Sequence, residues 1–135
     1  MVLPGIQALF GFQLIAVLNP LFFERLDVSQ QRLHLAAIGL VALAIGLIMA
    51  PAAYHRQTGP HEVSETFVTL AGRLVLWSLG PLALGICLDF YLVGFVILQS
   101  QWVALLAAGL LLVFAALWWA LPHSRRLGAI LGRSR

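Results

Sequence analysis

FVTLAGRLVLWSLGPLALGICL, residues 67–88, decides the fold class, because its twenty-two residues carry one charge, Arg73. As a helix rising 1.5 Å per residue the stretch is about 33 Å long, enough to cross a hydrocarbon core of ~30 Å. A guanidinium inside such a run must reach the headgroups, find a partner or serve a site. The rest of the chain agrees with a lipid solvent. Its 135 residues are 61% hydrophobic and 10% charged, with a mean hydropathy of +0.98, whereas a soluble domain has roughly a quarter of its residues charged. That is more apolar side chain than a soluble core of this size can bury, so the expectation is one all-α integral membrane domain.

Working outward, four spans are expected, at about 2–23, 33–54, 67–88 and 102–121, forming a four-helix transmembrane domain over 1–122 with a basic tail at 123–135. The first run lacks the basic start and small-residue cleavage site of a signal peptide and is taken as a retained span, with Pro4 in its first turn and Pro20 near its end. Asp27 or Ser29 is placed to cap the second span. Pro51, near the end of that span, should loosen its last turns, and the Gly80-Pro81 pair should bend the third. The apolar run 92–98 is too short to cross alone and either extends the third helix or lies at the interface. Trp102 at one end of the fourth span and Trp118-Trp119 at the other fit headgroup depth.

Two sets of small residues predict close helix approach. In the second span Gly39, Ala42, Gly46, Ala50 and Ala53 share a face, and in the third Ala71, Ser78 and Gly85 recur every seven residues. In lipid, such faces let backbones approach, and packing takes over from the hydrophobic drive.

All eight basic residues are arginine. With four spans, Arg56, Arg73, Arg125, Arg126, Arg133 and Arg135 fall on the side of the termini and Arg25 and Arg32 on the other, so both termini are expected in the cytoplasm. The formal charge of +3 therefore speaks to topology and anionic lipid, not to nucleic acid. The lone Cys87 excludes an internal disulfide and a paired-cysteine metal site.

Sorted by depth, the polar residues form two groups. Gln7, Tyr54, His55, Arg56, Glu62, Glu65 and Arg73 lie toward the cytoplasm; Asn19, Asp27, His34, Asp89, Gln99 and Gln101 lie toward the outside, with Gln13 and Ser78 between. Gln7, Tyr54, His55, Arg56 and Arg73 are the candidate functional cluster. Arg73 snorkels, pairs with Gln7, a carbonyl freed by Pro51, Glu62 or Glu65, or makes an anion or proton contact. His55 is a histidine at a helix end, the residue type that changes charge near neutrality. Asp89 beside Tyr91 reads as an interfacial marker. No nucleophile–base arrangement, phosphate loop or metal-ligand spacing is present in the sequence, so an enzyme, a cofactor and a metal are not expected.

The stretches LPGIQALFGF (3–12), LIMAPAAYHR (47–56) and GRL (72–74) resemble a small bacterial four-helix membrane family of unknown function, some of whose members carry an automated sodium:proton antiporter label. On matching positions the resemblance points to Gln7, Pro51, Tyr54, His55, Arg56 and Arg73. An exchanger of that kind needs a site near the bilayer midplane that releases a proton and binds a cation, usually through a carboxylate, and none of the five acidic residues is expected there. The functional expectation is a multi-pass protein of the bacterial inner membrane that packs, as a homo-oligomer or in a larger complex; the alternative is a small ion channel or proton-coupled transporter using the cytoplasmic cluster.

Overall fold

The computed structural model describes residues 2–58 and 65–120; the basic tail, Glu62 and the Gly59-Pro60 turn lie outside the described residues. Within them the chain is all-helical: α1 (Val2–Val17), α2 (Pro20–Arg25), α3 (Val28–Thr58), α4 (Glu65–Leu98) and α5 (Val103–Ala115), which continues as a π-helical turn over Ala116–Ala120. Three stretches are long and apolar enough to cross a membrane: Val28–Gln57, Phe67–Leu98 and Val103–Ala120.

The first expected span does not run unbroken over 2–23. Pro20 has no N–H and its ring would clash with the carbonyl four residues back, so helix ends before it. The last amides of α1 turn back over three residues, Leu18 N–H to Ile15 O at 3.0 Å and Asn19 N–H to Ala16 O at 3.2 Å. Asn19 then caps α2, its Oδ1 accepting from Leu21 N–H at 3.0 Å. With 16 residues α1 is about 24 Å long, short of the ~30 Å core.

The start of α3 is fixed by a reciprocal cap. Asp27 Oδ1 accepts from Gln30 N–H at 2.8 Å, while Gln30 Oε1 accepts from Asp27 N–H at 3.0 Å. Asp27 is thus the cap. At the other end of the chain, residues 92–98 extend α4, which reaches Leu98 as one 34-residue helix. It stops at Gln99, whose φ of 49° is left-handed and whose N–H returns to Phe95 O at 2.8 Å.

Helix α3 packs along α4; α1 lies on α3 and α5 on α4. The α3–α4 seam is made by Ala37, Val41 and Ala44, all fully buried, against Ser78, Leu82 and Gly85. The approach is close enough that a Cβ on Gly85 would sit 2.8 Å from Val41 Cγ2 and 3.1 Å from Ala37 O. Two of the three residues of the heptad face expected on the third span, Ser78 and Gly85, therefore lie in this seam. The core continues through Ile6 of α1, and Trp118, on the π-helical turn, packs against it. Most other side chains point outward, as expected where lipid is the solvent.

Candidate functional site

Three helices meet at one buried polar point. Gln13 of α1, His34 of α3 and Asp89 of α4 come together near the α1–α2 corner. His34 lies six residues past Val28, about 9 Å along α3, and Asp89 nine residues before Leu98, about 14 Å from that end of α4. Gln13 is 4% exposed and His34 7%, while the Asp89 side chain keeps 18% of its surface. The Phe22 ring of α2 lies over His34, with centroids 5.2 Å apart.

His34 Nε2 lies 3.0 Å from the Gln13 backbone carbonyl, which only accepts, so Nε2 carries a hydrogen. His34 Nδ1 lies 3.1 Å from Asp89 Oδ1. That contact needs one more proton, either on Nδ1, donating to the carboxylate, or on the Asp89 carboxyl, donating to Nδ1. In both forms one proton lies between the two side chains. The Gln13 side-chain amide donates to Asp89 Oδ2. Its Oε1 is buried with no partner, an acceptor whose desolvation costs about 1–3 kcal/mol.

A groove of about 740 Å³ opens beside the cluster, lined by Gln13, His34 and Asp89 together with Arg25 of α2 and apolar side chains of α1, α2 and α4. Among the described residues no three His, Cys, Asp or Glu side chains gather as a metal site.

The sequence-predicted cluster lies elsewhere and is only partly assembled. Tyr54 and His55 are twenty and twenty-one residues from His34, about 30 Å along α3. Both gather on Phe67, with ring centroids 6.0 and 5.5 Å away. Gln7, Arg56 and Arg73 are exposed, and among the described residues none of the three makes a side-chain hydrogen bond or ion pair. Of the small-residue stripe on α3, Gly39, Ala42, Gly46 and Ala53 are exposed and Ala50 is half-buried. A Cβ on Gly39 or Gly46 would meet nothing within 4 Å, so the chain makes its internal seam on a different face.

Asp89 is the residue that sequence reasoning misplaced: its side chain points into the helix cluster instead of marking an interface. The signal was present. Asp89 follows Gly85 by four residues and so continues the Ala71–Ser78–Gly85 face, while His34 precedes Ala37 and Val41 by three and seven.

Comparison with known proteins adds one finding about kinship. The chain belongs to the family described as "Family of unknown function (DUF6328)", whose profile covers residues 1–122. Neither the curated proteins nor the solved structures contain a match to it.

Proposed function

We propose that this member of the DUF6328 family is a non-enzymatic multi-pass protein of the bacterial inner membrane that works by association, as a homo-oligomer or as a subunit of a larger membrane complex. In this reading α1 and α2 together make the first of four crossings, α3, α4 and α5 make the others, and the arginine bias keeps both termini cytoplasmic. The supporting observation is the open face of α3. Gly39 and Gly46 have no neighbour within 4 Å of a built Cβ, although α3 has already closed against α4 through Ala37, Val41 and Ala44. A second small-residue face left outside lets another helix come close in lipid. The test is disulfide cross-linking in native membranes with Gly46→Cys in a Cys87→Ser background. A dimer or a heavier adduct is expected; only monomer would sink the proposal.

A second reading, ion or proton-coupled transport, is favoured by the His34–Asp89 pair, because ionisable groups held between membrane helices mark pathways for ions and protons. It moves the working group from Gln7, Tyr54, His55, Arg56 and Arg73 to the opposite end of the bundle. Asp89→Asn is the informative variant, since an asparagine can donate to a neutral His34 and still accept from Gln13, yet has no acid proton to exchange. Proton, sodium and chloride fluxes into liposomes should fall to background in Asp89→Asn. Flux equal to wild type would remove the pair from any transport mechanism.

A further inference from the structure

We infer that the groove beside the Gln13–His34–Asp89 cluster holds one bilayer phospholipid whose headgroup carries a primary ammonium. The groove is lined by the Arg25 guanidinium and the Asp89 carboxyl group, with Asn19, Gln13 and His34 as its other polar residues, and the rest of its wall is apolar, including Phe12, Val93 and Ile97. Those three side chains are more than half exposed, as acyl-chain contacts in a bilayer would require. A carboxylate offers about four accepting positions, and Gln13 and His34 occupy two of those on Asp89, whose side chain remains 18% open. The Gln13 Oε1 beside it is a further acceptor without a donor.

A zwitterionic headgroup matches this lining term by term. Its phosphate meets Arg25, its ammonium donates N–H to Asp89, and its chains cover the apolar walls. Phosphatidylcholine has the same charges but no N–H to give. Phosphatidylglycerol brings a phosphate with no cation, leaving Asp89 facing an anion. A free amine would leave Arg25 unpaired and the walls uncovered. The inference depends on neither association nor flux.

The test uses the full chain in nanodiscs of phosphatidylcholine doped with a minor fraction of phosphatidylethanolamine or, separately, phosphatidylglycerol. Lipid retained on the protein after release is counted by intact-mass spectrometry. One lipid per chain is expected, with phosphatidylethanolamine enriched about tenfold over phosphatidylcholine, the factor for one hydrogen bond to a charged group. Val93→Trp fills the groove one helical turn from Asp89 and should abolish that enrichment, while Arg25→Gln should reduce it. Equal retention of phosphatidylethanolamine and phosphatidylcholine would overturn the inference. So would equal retention of phosphatidylglycerol, enrichment that survives Val93→Trp, or a dimer mass that disappears in Val93→Trp, which would assign the groove to a second copy.

Discussion

Replacing Gly85 by alanine sets two effects of known sign against each other. Gly85 lies inside α4, where alanine is favoured over glycine by about 0.5–1 kcal/mol. The new methyl, however, would stand 2.8 Å from Val41 Cγ2 and 3.1 Å from the Ala37 carbonyl oxygen, well inside the ~3.5–4.0 Å of an ordinary carbon contact. Neither neighbour yields cheaply. Val41 is fully buried and β-branched, with one strongly preferred rotamer in a helix, and the Ala37 oxygen belongs to backbone. Relief requires α3 and α4 to separate, which loosens Ala37, Val41 and Ala44 against Ser78 and Leu82. Overpacking of this kind costs about 1–3 kcal/mol, so Gly85→Ala should be destabilised by about 0.5–2 kcal/mol net. Gly46→Ala, with nothing within 4 Å, should instead be stabilised by up to about 1 kcal/mol. The assay is equilibrium unfolding in mixed micelles followed by circular dichroism, with Val41→Ala added to close a double-mutant cycle. A coupling near 1 kcal/mol is expected between neighbours in contact. If Gly85→Ala proved as stable as Gly46→Ala, the two helices would not approach at Gly85 and the seam described above would be wrong.

Three further outcomes test other parts of the structure. His34→Leu leaves the half-buried Asp89 with one partner and should cost about 2 kcal/mol in the same unfolding assay, whereas Asp89→Asn, which keeps both contacts, should cost about 1 kcal/mol; the reverse order would refute the shared-proton arrangement. Asp27→Ala removes one half of the α3 cap and should cost about 1 kcal/mol, read most directly as faster hydrogen exchange at the Gln30 amide. Gln99→Gly should stabilise by about 1 kcal/mol, because a side chain at φ 49° carries a left-handed penalty that glycine lacks; an unchanged or lowered unfolding midpoint would contradict that geometry.

Composition and run length alone determined that the chain is helical and apolar enough for membranes, because a hydrocarbon solvent accepts only segments whose backbone bonds close internally. Two members of the heptad, Ser78 and Gly85, likewise fall on a buried face of α4, while Ala71 is half-buried, since helical periodicity is local geometry. The break at Asn19-Pro20 was legible in principle, but hydropathy hid it: the apolar run continues through Leu21, Phe22 and Phe23, while proline sterics act on the backbone. What only the tertiary structure decided was rotational pairing between helices. Gly39 and Gly46 promise close packing as strongly as Gly85 does, yet α3 meets α4 through Ala37, Val41 and Ala44, because only one face of a helix can be turned to a given neighbour. The same rotation carries Gln13, His34 and Asp89, separated by 21 and 55 residues, into one proton-sharing cluster. Depth along a helix follows from residue counting; azimuth around it follows from what the neighbouring helices offer.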